Sequence, residues 1–181
     1  MIRPKKKIKI GGTASDVLLL LDFLSPALFP KDQVKVTRWI CMGTSLGGHV
    51  THIAGSKDPR LTHLVPFIGS PSILSLLENR AKQNNLAFSP PIMPDSLRNL
   101  LKRTDPFELS LDRWKGKHIL ALCGEEDPLV PYKEGKTEEL ISRLKERGED
   151  VDLFVEKGIG HQVTKVMLDK YGFFLVHLKA S

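Results

Sequence analysis

Ser45 stands between two glycines in Trp39-Ile-Cys-Met-Gly-Thr-Ser-Leu-Gly-Gly-His49, the G-x-S-x-G spacing that lets a tight turn lift a serine hydroxyl clear of the chain. A serine hydroxyl is a weak nucleophile until a base takes its proton and a carboxylate orients that base. Two further stretches supply candidates. Gly124-Glu-Glu-Asp-Pro-Leu-Val-Pro131 offers Asp127, fixed in a turn by Pro128, with Glu125 and Glu126 as rivals. Glu156-Lys-Gly-Ile-Gly-His-Gln162 offers His161 in a glycine-flanked loop. Of the six histidines, His49 and His52 fall on the helix expected after Ser45, where they face other elements or solvent. His63 and His118 begin expected strands, and His177 lies on the last expected helix.

These residues do chemistry together only if strands and turns carry them to one place. Val34–Met42 reads as a strand, and a helix runs on through Gly48–Ala54, giving the strand–turn–helix setting that the serine turn requires. Before it, Gly12–Asp16 opens a helix with Thr13 or Ser15 as its cap; Val17, Leu20, Leu21 and Leu24 form its buried stripe, and Ser25-Pro26 and Phe29-Pro30 end it. After it come a strand at His63–Ile68, a helix at Ser72–Lys82 and a second helix through Leu97, Leu100 and Leu101. The proline-rich Phe88–Pro94 separates those two helices. Lys117–Cys123 is the clearest strand, followed by a helix at Tyr132–Arg147 that Gly148 stops, a strand at Val151–Val155 and a last helix at Val163–Leu178.

Near-continuous apolar strands alternating with helices predict an α/β protein with a parallel sheet of about four strands covered on both faces. Residues 1–11 read as a basic tail and 12–181 as one domain, with 71–114 interrupting the alternation as a helical insert over the sheet. Within the insert Phe88, Ile92, Met93 and Phe107 fit either an apolar substrate pocket or the insert's own packing. Each strand expected at Met42, Cys123 and Val155 ends just before one of the three chemical residues, and parallel α/β sheets place their sites at such ends.

Composition narrows the function classes. The 181 residues suffice for one real core, and 27% charged residues with 41% hydrophobic ones exclude a disordered chain. The net charge of +6 gathers partly in Arg3–Lys9, which reads as a solvated tail; no nucleic-acid partner is expected, because no aromatic–basic interleaving follows elsewhere. Val17–Leu21 is too short to span a membrane and is broken by Asp22, so no membrane span is expected. Without a secretory signal, the default location is cytoplasmic and reducing. Cys41 and Cys123 sit in apolar runs as small buried hydrophobes, and with no metal-ligand spacing or phosphate-cradling glycine loop, neither a metal nor a cofactor is expected.

The chain order Ser45, Asp127, His161 and the segments Gly43–Gly47, Gly124–Pro131 and Gly158–His161 resemble the α/β-hydrolase fold. Gly12-Thr-Ala-Ser-Asp-Val17, Ser45-Leu-Gly-Gly-His49 and Asp58-Pro-Arg60 are similar to a group of hydrolase-like proteins common in fungi. The resemblance implies Ser45 as nucleophile, His161 as general base and then acid, Asp127 as the group fixing the imidazole, and the Leu46 N–H as one oxyanion-hole donor. It implies a serine hydrolase that cleaves an ester or related acyl bond of a small molecule through an acyl-enzyme. It also implies that the strands preceding Gly12 in the family, with the second oxyanion donor, have no match here. The elbow strand then becomes an apolar sheet edge open to self-association. The alternative is a non-catalytic, truncated hydrolase-like fragment that acts through another chain.

Overall fold

A strand covered on both faces has no polar side to present, which is why the apolar runs bounded by glycine and proline become the sheet. A computed structural model describes residues 5–31 and 33–177, and in it these runs are β1 (Trp39–Thr44), β2 (Leu61–Phe67), β3 (His118–Gly124) and β4 (Val151–Glu156). They form a 4-stranded sheet in the order β1-β2-β3-β4, with every neighbouring pair parallel. The expected α/β architecture is the one that forms. The register sets Met42 beside Val65, His63 beside His118 and Leu122 beside Phe154.

Successive strand residues point to opposite faces, and the two halves of the core follow that alternation. On one face Cys41, Leu64, Ile119, Ala121 and Val151 pack with Leu21 of α1 (Lys5–Leu28), Ala54 of α2 (Leu46–Lys57) and Leu140, Ile141 and Leu144 of α5 (Thr137–Glu146). Trp114, fully buried in a 3-10 turn at Leu111–Trp114, joins that cluster. On the other face Val65, Phe67, Leu120 and Leu122 meet Met167, Tyr171 and Phe174 of α6 (Lys165–Val176). Ile40 and Met42 lie on this second face, level with His63 and Val65, yet are 37% and 49% exposed because α6 does not reach β1.

Several boundaries differ from the sequence expectation, and those that follow have a physical reason or lie outside the described residues. Residues 1–4 of the expected basic tail and Leu178 of the expected last helix lie outside the described residues, whereas residues 5–11 belong to α1. Pro26 does not end α1, which continues to Leu28 and closes with the Phe29 N–H on the Ser25 carbonyl at 2.9 Å. Val34–Arg38 carries no strand, since β2 begins at Leu61 opposite Trp39 and offers these residues no ladder. The helix expected from Tyr132 starts at Thr137, because Lys136 adopts φ 66° and Gly135 instead turns back onto the Pro131 carbonyl at 2.8 Å. With α1 unbroken, Gly11–Leu28 is an 18-residue window long and apolar enough to cross a membrane by length and composition, longer than the Val17–Leu21 run. Its Ala14 and Val17 pack on Val50 and Ile53 of α2, and Asp22 pairs with Arg60 at 2.7 Å.

The insert brings α3 (Ile73–Gln83) and α4 (Asp95–Thr104) between β2 and β3. Met93, Leu74 and Leu101 form its own small core with Phe88, Leu77 and Leu97, whereas Phe107 packs against the main core. Asp105 ties the insert together at the start of α3. Its carboxylate accepts the N–H groups of Ile73 at 2.9 Å and Leu74 at 2.8 Å and the Ser72 hydroxyl at 3.1 Å, satisfying donors that a helix N-terminus leaves free. Burial pushes this carboxyl up to about 6, and those three donors hold it from rising further. The folded value exceeds the unfolded value of about 3.9, so the folded chain holds the extra proton between them and stability falls as pH rises through that window. Against Asp105→Asn, which does not titrate, the wild type is expected to lose on the order of 2–3 kcal/mol between about pH 4 and about pH 7. Urea unfolding of both proteins at the two pH values checks this; a constant difference would show that Asp105 is ionised throughout.

Candidate active site

The serine turn is built from backbone close approaches. Ser45 follows β1 directly and adopts φ 54° and ψ −108°, a conformation that costs a non-glycine residue strain. A Cβ on Gly43 would stand 2.3 Å from the Gly47 carbonyl oxygen, so glycine is required there by the turn itself. Gly47 differs: nothing lies within 4 Å of where its Cβ would be. The second crowded glycine is Gly48, whose Cβ would meet the Phe67 carbonyl oxygen at 2.7 Å and the Gly69 Cα at 2.8 Å. The Ser45 N–H bonds the same Phe67 carbonyl at 2.9 Å, fastening the turn to the end of β2. Leu46 opens α2, where first-turn N–H groups lack acceptors within the helix.

The acid and base loops follow β3 and β4 and lie against each other. A Cβ on Gly124 would collide with the Ile159 and Gly160 carbonyl oxygens at 2.4 and 2.5 Å. The Glu126 N–H bonds the Ile159 carbonyl at 2.9 Å, and the Glu125 N–H bonds the Glu156 carbonyl at 2.9 Å. The three carboxylates of the acid loop now separate. Glu125 and Glu126 are exposed, and the Glu125 carboxylate accepts the Gly158 N–H at 3.1 Å. Asp127 is 3% exposed; its Oδ1 accepts the N–H groups of Leu129 at 2.8 Å and Val130 at 2.9 Å, which turns Oδ2 toward the histidine loop. There Oδ2 lies 2.7 Å from His161 Nδ1, and His161 Nε2 lies 2.8 Å from Ser45 Oγ. With the Asp127 carboxylate accepting a hydrogen bond from Nδ1–H, the Nε2 lone pair is left to accept the serine hydroxyl's hydrogen bond. The structure thus brings Ser45, His161 and Asp127 into one hydrogen-bonded line.

His49 does more than the sequence showed. It is 6% exposed, and its Nδ1 lies 3.0 Å from both the N–H and the carbonyl oxygen of Ser70. The Ser70 hydroxyl in turn donates to the Gly135 carbonyl at 2.6 Å, so a strap runs from the serine helix past the end of β2 to the segment after the acid loop. Burial lowers the His49 pKa, against the opposing pull of the Ser70 backbone bond, and so favours the neutral ring. From Gly48 to Ser56 every residue of α2 is buried, so no one-sided helical pattern in the sequence could have signalled this. His52 is fully buried edge-on to Trp114, 6.0 Å between ring centres, and burial pushes it down to about 3. His63 and His118 stack at 4.6 Å at the opposite end of the strands from Ser45, and His177 is exposed. Cys41 and Cys123 are free and buried, as expected. Among the described residues no three His, Cys, Asp or Glu side chains are grouped to hold a metal.

No protein-family model matches the chain, and no curated protein matches it significantly. Solved structures do. Esterase PE8 is 19% identical over 99% of this chain and 67% of its own, with a TM-score of 0.56. A puromycin-hydrolyzing peptidase of Mycobacterium tuberculosis is 18% identical over 87% of this chain and 24% of its own, with a TM-score of 0.66. Acetyl xylan esterase 1 from a Thermoanaerobacterium species is 17% identical over 87% and 50%, with a TM-score of 0.59. The chain therefore carries part of the α/β-hydrolase fold and spans between a quarter and two thirds of these neighbours' lengths.

Two tests probe this geometry without any substrate. Gly47→Ala is expected to be neutral or to gain up to about 1 kcal/mol of helix propensity, whereas Gly48→Ala meets immovable backbone and is expected to cost about 1–3 kcal/mol. Equal unfolding midpoints for the two variants would refute the crowding at Gly48. Asp127→Asn keeps an oxygen for Leu129 and Val130 but offers His161 an N–H, so the ring proton is expected to move from Nδ1 to Nε2. Nitrogen-15 chemical shifts of the His161 ring report that exchange directly.

Proposed function

We propose that this chain is a serine hydrolase acting on an ester or related acyl bond of a small molecule. The observation that carries the reading is the line from Ser45 Oγ to His161 Nε2 at 2.8 Å and from His161 Nδ1 to Asp127 Oδ2 at 2.7 Å. Ser45 Oγ attacks the acyl carbon while His161 Nε2 takes the hydroxyl proton. Asp127, nine-tenths or more buried and held by two backbone donors, stabilises the imidazolium and keeps the ring in one orientation. The imidazolium then protonates the departing alcohol. A water molecule, deprotonated by the same Nε2, releases the acyl group from Ser45.

Negative charge that develops on the acyl oxygen needs donors aimed at it; the reading assigns that role to the Leu46 N–H, which opens α2 directly after the serine turn. One donor fewer costs on the order of 10²–10³ in turnover, so an activated ester is the substrate of choice for a first test. With a short p-nitrophenyl ester, the wild-type chain is expected to turn over while Ser45→Ala falls by at least about 10³-fold. Equal rates for the two proteins would overturn the reading.

A further inference from the structure

The hydrogen-bonded line from Ser45 to Asp127 is one side of a closed ring, and the other side runs through His49 and Ser70. The His49 N–H bonds the Ser45 carbonyl at 3.1 Å, so the first turn of α2 carries the imidazole rigidly with the serine. Its Nδ1 lies 3.0 Å from both the N–H and the carbonyl oxygen of Ser70, so either neutral tautomer is held there. The Ser70 hydroxyl donates to the Gly135 carbonyl at 2.6 Å, and the Gly135 N–H returns to the Pro131 carbonyl at 2.8 Å. Pro131 follows Val130, whose N–H holds Asp127 Oδ1 at 2.9 Å. The approach at Gly135 is tight: a Cβ there would stand 3.0 Å from Ser70 Oγ. This second side joins Ser45 to Asp127 without passing through His161.

We propose that His49 is a positioning residue for the acyl-transfer site, holding Ser45 Oγ within reach of His161 Nε2 by tying the serine turn to the Asp127 loop through Ser70. The inference rests on the serine-hydrolase reading. The start of α2, the end of β2 and the segment after Asp127 each carry one corner of the ring, and a displacement of about 1 Å at a reacting atom costs on the order of 10²-fold in rate. His49 and Ser70 are 6% and 1% exposed, so water has little access to replace a broken link, and a satisfied buried network of this kind is rigid. A histidine suits the place for a second reason. Burial is the main influence that lowers its pKa, and the charges of His161 and Asp127 also reach it, as expected of a ring close to the line. A neutral imidazole there does not oppose the imidazolium that forms at His161, whereas a lysine or arginine would repel it.

His49→Leu keeps buried volume and removes the polar contact, whereas His49→Asn puts an amide where Nδ1 stands. Ser70→Ala opens the ring at a second point, the link from the hydroxyl to Gly135. With a short p-nitrophenyl ester, His49→Leu and Ser70→Ala are expected to lower kcat by about 10–100-fold with KM within about threefold of wild type. His49→Asn is expected to restore kcat to within about threefold of wild type. The nitrogen-15 shift of His161 Nε2 gives a readout that needs no turnover. In His49→Leu and Ser70→Ala it is expected to move toward its value in Ser45→Ala, where the serine hydrogen bond is gone, and in His49→Asn to stay with the wild type. Should His49→Leu fail to fold, Ser70→Ala decides. Wild-type kcat and shift in either variant, or a His49→Asn chain as impaired as His49→Leu, would overturn the positioning role. A wild type no faster than Ser45→Ala would overturn the hydrolase reading instead, and the His161 shifts then decide the positioning by themselves.

Discussion

The constraint on which the rest depends is the approach of the serine turn to the end of β2. Gly48 and Gly69 touch backbone to backbone, and the Phe67 carbonyl receives the Ser45 N–H at 2.9 Å beside them. This contact fixes how α2 leaves the sheet, and so where Ser45 Oγ points. The same end of β2 reaches on into its other neighbours. The Ile68 N–H takes the Leu122 carbonyl of β3 at 2.7 Å, and Ser70 links His49 to Gly135. Because β2 lies between β1 and β3, its C-terminal end is the common reference for Ser45 on one side and the Asp127 loop on the other.

The second approach, at Gly124, works in the same way one strand further on. There the acid loop and histidine loop exchange backbone bonds, and neither could come so near if Gly124 carried a side chain. Two glycine contacts therefore set the three functional loops at fixed spacing, and side chains only finish the line. Asp127 Oδ1 is committed to Leu129 and Val130, so Oδ2 has a single direction to face. The carboxylate that faces His161 is the one that the backbone has already oriented.

Much of this was legible in the sequence, because the chemistry sits in loops written as Gly-x-Ser-x-Gly, Glu-Glu-Asp-Pro and Gly-Ile-Gly-His after apolar strands. Local signals of that kind specify turn, strand end and residue type together. What stayed hidden depends on partners distant in the chain. Val34 and Val36 read as strand because propensity is local, whereas a ladder needs a neighbour, and β2 starts too late to provide one. Pro26 reads as a stop, yet α1 packs on α2 and carries the helix past it. Gly47 and Gly48 are indistinguishable as letters; only the proximity of Gly69 separates the open position from the crowded one. Similarly, the sequence left His49 facing either another element or solvent, and the end of β2, with Ser70, decides it.

Strand order also separates what the candidate site requires from what lies beyond β1. Ser45, Asp127 and His161 follow β1, β3 and β4, and all three strands belong to one hydrogen-bonded sheet. The distances of 2.8 and 2.7 Å in the line are therefore set by contacts on the inner side of β1, through β2 and β3.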